Sequence, residues 1–482
     1  MIEAGVKIEK IKHYFSASLL TTLAGLITFP ILTRLLSKAD YGIYSLIQGV
    51  QLIYEAVLKG GGQFSLLRFH SSEYLEDEES KKRFISTFLV FPLLLSSIVS
   101  FIGCISVIIY SYFFSEIYSA ILVLIAAQSA IVLSYFRSYM QASGLSKYDS
   151  AIDVVYKYLY LAIVIPVVLF LSANYWGVYW AVAISTLIAA CVTLWLNRSV
   201  FKYISLNIDK ELFSKSLKYS IPLLLTEISV LSMSYVDRFI MAAMDIEMSE
   251  IGIYAIGFGL ANVIFMLIWR IIQPSIFPYA NNIHDKQGAK IAVDYLSKAA
   301  NLFVLLFMAL LTGVGLNSSE FIVFLCGQDK SDAGLIFFLA TAIFLLKMVG
   351  SFLFYGLELY KTTKHIFYSE LLVALINIIL NIFLIYYYGL YGAICATFLS
   401  VACGMIFKAI VMKKEYYLKS IFDGLPLLVL VLCGYVMSHI YVIEVLFINP
   451  LLIMASSVVV FSIAMLILKK TWINKFKGVF VR

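Results

Sequence analysis

Runs of about twenty consecutive apolar residues follow one another along nearly the whole chain, and they constrain its fold more than any other feature. At about 1.5 Å per helical residue, such a run matches the hydrocarbon thickness of a bilayer, about 30 Å. The runs do not alternate apolar with polar, which excludes the strands of a barrel. Hydrocarbon offers no hydrogen-bonding partner, so each crossing segment must bond its own backbone, as a helix does. Composition agrees: 62% of the 482 residues are hydrophobic and 13% charged, against about 45–50% and about 25% in soluble domains. The chain reads as an all-α integral membrane protein with about 14 transmembrane helices.

The first six spans fall at about 13–35, 42–68, 84–110, 117–141, 150–172 and 176–197, and the next six at about 218–243, 251–280, 291–314, 333–357, 366–388 and 390–412. A last pair lies at about 421–441 and 450–468. The run from Tyr14 has no small-residue cleavage site and reads as a span, not a removable signal. The six cysteines are scattered, with no CxxC pair, so neither a disulfide framework nor a metal site is expected.

The net charge of +7 does not point to nucleic acid. Lys and Arg concentrate in alternate links, as cytoplasmic loops require. With the N-terminus inside, the inner segments include Lys81, Lys82, Arg83, Arg198, Lys202, Lys286 and Lys290, whereas the outer ones hold only Lys38 and Lys330. This asymmetry predicts N-in, C-in topology. Tyr175-Trp176 with Tyr179-Trp180, and Tyr386-Tyr387-Tyr388 with Tyr391, fall at predicted outer turns, where aromatic belts belong.

The chain also repeats itself. Tyr41-Gly42-Ile43-Tyr44 matches Ile251-Gly252-Ile253-Tyr254, Leu19-Leu20-Thr21-Thr22 matches Leu224-Leu225-Thr226-Glu227, and Trp176-Gly177-Val178-Tyr179 matches Tyr388-Gly389-Leu390-Tyr391. The offsets are about 205–212 residues and the order is collinear. Six spans separate the copies, so both run in the same direction; parallel repeats of this kind build two-lobed transporters with a site between the repeats. The alternative is fortuitous similarity among apolar helices. The repeat divides the chain into an N-terminal lobe at 1–212, a C-terminal lobe at 213–417, and a helix pair with a basic tail at 418–482.

Charged side chains within spans cost about 2.5–3.5 kcal/mol each on insertion scales. They therefore pair, reach the interface or line water. Gln48, Gln51, Glu55, Lys59 and Gln63 recur every three or four residues in span two and share one helical face. That face is assigned to a central cavity, the alternative being polar contact between helices. Glu227, Ser234 and Arg238 share a face in span seven, as do Lys347, Ser351, Tyr355 and Glu358 in span ten, and Glu370, Asn377 and Asn381 in span eleven. Glu55 and Lys59 are spaced to neutralise each other, and so are Asp153 and Lys157, where a structural pair is favoured. Arg34, Arg137 and Arg270 lie near span ends and either line the cavity or extend to the interface. Asp237 adjoins Arg238, so a local pair competes there with a ligand role. Pro30, Pro166, Pro222, Pro274 and Pro278 lie in spans, as hinges or as static kinks. No Walker loop, HExxH or GxSxG occurs, and the five histidines are dispersed; no enzyme, cofactor or metal is expected.

Thr33-Arg34-Leu35-Leu36-Ser37-Lys38-Ala39-Asp40-Tyr41-Gly42-Ile43-Tyr44 resembles the first extracytoplasmic turn of Wzx-type O-antigen and capsule flippases, which belong to the multidrug/oligosaccharidyl-lipid/polysaccharide exporter superfamily. Tyr235-Val236-Asp237-Arg238-Phe239-Ile240 is similar to that family's motif in span seven, and the last helix pair resembles the fourteen-span members, lipid II flippases among them. The resemblance implies a flippase of the bacterial cytoplasmic membrane. It would carry an undecaprenyl-pyrophosphate-linked oligosaccharide across by alternating access, for surface polysaccharide such as O-antigen or capsule. Membrane lipids would surround it, and a polysaccharide polymerase and chain-length proteins would be its protein partners. Under this reading Lys59, Arg238, Lys347, Arg34, Arg270, Gln48 and Gln51 bind substrate, while Glu55, Glu227 and Asp237 carry a coupling proton or pair with the bases. A cation-coupled drug exporter of the same superfamily would favour acidic cavity residues. An oligosaccharide polymerase would need a large outer loop, and the longest outer link, Asn317–Gly334, is short.

Overall fold

A computed structural model describes residues 2–70, 77–111, 118–171, 173–205, 207–300, 303, 317–359 and 363–411. All its regular elements are helical. They are α1 (Ile2–Leu35), α2 (Lys38–Lys59), α3 (Gly62–Phe69), α4 (Glu78–Ile85), α5 (Phe91–Ser111), α6 (Tyr118–Ala142), α7 (Ser146–Phe170), α8 (Tyr175–Leu196), α9 (Lys210–Ala243) and α10 (Met248–Gln287). A helix at 289–300 is α11, followed by α12 (Ser318–Cys326), α13 (Ala333–Leu359) and α14 (Thr363–Val411). Among the described residues nine helical stretches are long and apolar enough to cross a membrane. The expected last helix pair lies outside the described residues, as does most of the segment read as span nine.

Two departures from the expected spans have physical causes. The segment read as one span at 42–68 is two helices, because Gly60 and Gly61 adopt positive φ values of 57° and 71° and end α2 at Lys59. Only glycine enters that region without strain. The expected turn between spans eleven and twelve is a kink inside α14, at Gly389 with φ 55° and ψ −135°. Tyr386, Tyr387 and Tyr388 are strongly exposed beside it, as an interfacial belt requires, whereas Tyr179 of the other aromatic cluster is buried.

Local chemistry sets the helix boundaries. Ser37 caps α2 by accepting from the Asp40 amide at 3.0 Å, Asn174 caps α8, and Asp209 caps α9 through the Leu212 amide at 2.9 Å. A π-helical turn at Ser86–Val90 joins α4 to α5, directly ahead of Pro92, which has no amide hydrogen to give. α1, α7 and α9 continue through Pro30, Pro166 and Pro222. Several hydroxyls within spans bond back to their own helices, as Thr22 does to the Ser18 carbonyl at 2.7 Å, which meets their demand in hydrocarbon.

The chain forms two compact units, Met1–Ala255 and Ile256–Arg482. In the first, α1 packs on α7, α6 on α8, α7 on α8, and α9 on α2 and α3. In the second, α12 packs on α13 and α13 on α14. Large apolar side chains such as Phe101, Ile109 and Phe170 are strongly exposed, the outward surface of a protein whose solvent is lipid.

The two copies of the repeated Gly-Ile-Tyr segment meet within the first unit. A Cβ on Gly42 would overlap the Met248 carbonyl oxygen and come within 3.0 Å of the Gly252 nitrogen; one on Gly252 would overlap the Lys38 carbonyl. Here backbone lies on backbone, the close approach that small residues permit between membrane helices. Gly42→Ala or Gly252→Ala should therefore destabilise the protein by about 1–3 kcal/mol through overpacking. Gly25→Ala, with nothing within 4 Å of its new methyl, should not. Thermal unfolding of the detergent-solubilised protein distinguishes them, and equal melting temperatures for all three variants would disprove the contact.

Candidate functional site

The polar stripe of span two faces α9. Lys59 Nζ lies 2.9 Å from Glu227 Oε1, and Gln63 Nε2 donates to Glu227 Oε2 at 3.3 Å. Further along, the Tyr235 hydroxyl donates to Gln48 Oε1 at 3.4 Å, and Gln48 Nε2 donates to the Tyr44 hydroxyl at 3.2 Å. Within α2, Gln51 Nε2 donates to Glu55 Oε1 at 2.8 Å. The expected neutralisation of Glu55 by Lys59 along the helix is thus not the arrangement found: the lysine turns across to α9 and the glutamate takes a glutamine.

The triple glycine after Lys59 makes this geometry. A Cβ on Gly61 would come within 2.7 Å of the Ser220 carbonyl oxygen of α9, and one on Gly62 would overlap the Tyr135 hydroxyl of α6. That hydroxyl donates to the Lys59 carbonyl at 2.7 Å, satisfying an orphan acceptor at the end of α2. Ser65 Oγ donates to the Ser216 carbonyl at 3.2 Å. The helix break is therefore held on both sides, and Lys59 is delivered to Glu227. The side chains are 14% and 24% exposed, so the pair is largely withdrawn from solvent, where losing one partner strands a charge.

Asp237 and Arg238 are both buried. Their expected local pairing takes a particular form: Asp237 Oδ1 accepts from the Arg238 main-chain amide at 2.8 Å, and Oδ2 accepts from the Tyr254 hydroxyl of α10. The Arg238 guanidinium lies over the Tyr235 ring at 5.0 Å, and its Nε has no hydrogen-bond partner among the described residues. Arg34 is exposed at the end of α1. Arg270 and Lys347 belong to the second unit. Arg270 is exposed, and Lys347 is half-buried with its ammonium 5.1 Å from the Phe344 ring centroid. The structure therefore brings together Lys59 with Glu227, Gln51 with Glu55, and Gln48 with Tyr235, itself under Arg238.

Two networks were not foreseen. Arg137 binds Asp149 at 2.7 Å and Asp153 at 2.8 Å, and Gln141 donates to the other Asp149 oxygen at 2.9 Å. Arg137 is thus committed to two carboxylates of α7 and does not reach for the interface, and Asp153 takes it in place of the expected Lys157. Its twelve-residue separation from Asp149 crosses a turn and carries no helical signature. In α14, Glu370 and Lys408 pair at 2.6 Å across the Gly389 kink. In the same helix Asn377 Nδ2 reaches the Thr397 and Ser400 hydroxyls at 3.2 and 3.3 Å.

These features define a multi-pass helical membrane protein with a charged seam between α2 and α9, and solved structures share its fold. One described as lipid II flippase MurJ in an inward closed conformation matches at TM-score 0.69 and 16% identity, over 97% of this chain and 99% of its own. An inward-facing multidrug resistance MATE family transporter of the MOP superfamily matches at TM-score 0.63 and 13% identity, over 81% and 94%. A MOP superfamily transporter from Pyrococcus furiosus, described as having a binding pocket of reverse polarity, matches at TM-score 0.56 and 11% identity, over 83% and 95%. A comparison with curated proteins found no match. The chain belongs to the polysaccharide biosynthesis protein family, whose model matches residues 8–284.

Breaking the seam ion pair has a defined signature. Lys59→Met and Glu227→Gln should each destabilise the protein, and the double variant should recover part of the loss, with a coupling of about 0.5–3 kcal/mol. A double-mutant cycle on thermal unfolding measures it; strict additivity would show that the pair carries no energy.

Proposed function

We propose that the protein is a flippase that moves an undecaprenyl-pyrophosphate-linked oligosaccharide across the bacterial cytoplasmic membrane for surface polysaccharide synthesis. The observation that carries this reading is membership of a polysaccharide biosynthesis family together with likeness, over nearly the whole of both chains, to a lipid II flippase. The transporters of drugs match a smaller share of this chain.

In this reading the lobes are 1–212 and 213–417, with 14 spans and both termini inside, and α2 of one lobe faces α9 of the other. Duplication sets that division, whereas the compact unit ending at Ala255 reflects packing. The polar head enters between the lobes while the polyprenyl tail stays in lipid. Lys59 is held by Glu227 in the state described here. A pyrophosphate is a stronger, multiply charged acceptor for an ammonium group. Its arrival would displace the Glu227 carboxylate, which then requires a proton or another cation. Binding and seam opening are linked in this way, and Glu55 lies one turn from Lys59 as a second acid. Arg238, with an uncommitted Nε over Tyr235, supplies a second positive contact. Gln48 and Gln51 meet sugar hydroxyls, and Lys347, Arg270 and Arg34 add positive potential; Asp237 is a pairing residue.

Deleting the gene should abolish surface polysaccharide and accumulate undecaprenyl-linked repeat units on the inner leaflet. Intact polysaccharide with raised drug sensitivity would replace this reading by export of cationic compounds, which the two acids of the seam would suit. Lys59→Ala and Arg238→Ala should each lower export at least tenfold at unchanged protein abundance. Glu227→Gln should tighten binding of the lipid-linked pyrophosphate while slowing its transfer, measured as retention against turnover in proteoliposomes. Unaltered retention in Glu227→Gln would remove the exchange from the mechanism.

A further inference from the structure

After α8 the chain does not enter α9 directly. It makes a 3-10 turn at Arg198–Tyr203 that lies along the surface. Such a helix has three residues per turn, so side chains three apart eclipse. Val200 and Tyr203 are buried, whereas Phe201 and Ile204 are 42% and 50% exposed. The buried stripe joins a core with Phe84, Phe88, Tyr135 and Phe136, which ties the turn to α4, the Ser86–Val90 turn and α6. The connection is pinned further where Ser86 Oγ lies 2.9 Å from Ser205 Oγ and the Asp209 amide donates to Thr87 Oγ1 at 3.0 Å. α4 is itself fixed by Asp77, which accepts from the Ser80 amide and hydroxyl at 2.6 and 2.9 Å. Those bonds hold its carboxyl below the usual carboxylate range.

Two cations converge on this platform. Lys81 Nζ of α4 and Lys202 Nζ of the turn each lie 4.6 Å from the Tyr203 ring centroid, so the two ammonium groups are at most about 9 Å apart. Their proximity, Lys202 first, lowers the Tyr203 phenol below its ordinary value. Lys82 is exposed beside them. Among the described carboxylates, Glu79 is paired with Arg83, Asp77 and Asp209 act on Arg83, and Glu78 acts on Lys202 only at a distance. Arg198 stacks over Trp195 at 5.5 Å, and Trp195 is 63% exposed. Positive charge thus shares this connection with the exposed apolar side chains Trp195, Phe201 and Ile204. An acidic oligosaccharide or a soluble acidic peptide would match the charge but leave those three side chains uncovered.

We infer that the α4 and Arg198–Tyr203 platform is a binding site for an anionic phospholipid of the inner leaflet, its phosphate held between Lys81 and Lys202 and its acyl chains against Trp195, Phe201 and Ile204. Charge-assisted bonds of about 2.8 Å from each ammonium to different phosphate oxygens fit within the separation of the two groups. Basic residues beside a span gain energy from anionic lipid in this way. The site is independent of the transported substrate and rests only on the inward placement of the basic links. It sits on the connection from α8 to α9, so a bound lipid would fasten that connection to the membrane surface.

The full-length protein in detergent, titrated with phosphatidylglycerol or with phosphatidylcholine and weighed by native mass spectrometry, tests the inference. One phosphatidylglycerol should bind at least tenfold more tightly than phosphatidylcholine. Lys81→Gln/Lys202→Gln should weaken phosphatidylglycerol roughly 30-fold, while Lys286→Gln/Lys290→Gln on another basic link should leave it unchanged. Equal affinity for the two lipids in the unaltered protein, a reading that needs no variant, would overturn the proposal. So would full affinity in Lys81→Gln/Lys202→Gln, or displacement by millimolar inorganic phosphate, which would make the site one for free phosphate.

Discussion

Everything in this fold answers to a solvent that forms no hydrogen bonds. In hydrocarbon an unmet polar group costs several kcal/mol, and among the described residues most of the charged side chains buried in spans are turned toward a partner. Lys59 finds Glu227, Arg137 finds Asp149 and Asp153, and Lys408 finds Glu370. These pairings join separate helical segments, from the consecutive helices α6 and α7 to α2 and α9, 168 residues apart at Lys59 and Glu227. The remaining surface is left to Phe, Ile and Leu, which lipid accepts.

The contrast between the two arginines is instructive. Arg137 is fully committed: two carboxylates and a neighbouring glutamine close the network, and it acts as a clamp between α6 and α7. Arg238 is at least as deeply buried, but its neighbours are an aromatic face and a carboxylate already engaged by other donors. Burial with spare donor capacity is the less stable arrangement, and under the proposed function it leaves Arg238 available for a ligand. The seam pair of Lys59 and Glu227 lies between these extremes, satisfied but still reachable by solvent.

Much of this was legible in the chain itself. Span length and composition fixed the helical membrane class, and residue spacing placed Gln48, Gln51, Glu55, Lys59 and Gln63 on one face. The facing helix was beyond reach, because spacing within a helix says nothing of its neighbour. For that reason Glu55 and Lys59 looked like a local pair, whereas the break at Gly60 and Gly61 turns Lys59 toward α9. The three glycines after Lys59 were the available signal: such a run ends a helix, and it leaves room for Ser220 and Tyr135 to approach. Arg137 misled for a related reason, its partner Asp149 lying beyond a turn. Nor did the repeat foretell that Gly42 and Gly252 would lie against each other.

The meeting of Gly42 with Gly252 has a consequence for motion. Main chain rests on main chain there. The atoms in closest approach are main-chain ones, so parting that point of contact, unlike the separation of Lys59 from Glu227, breaks no ion pair between them. A duplicated helix end that touches its own counterpart through glycine behaves like the bare edge of a door against its frame: tight when shut, with nothing to unlatch.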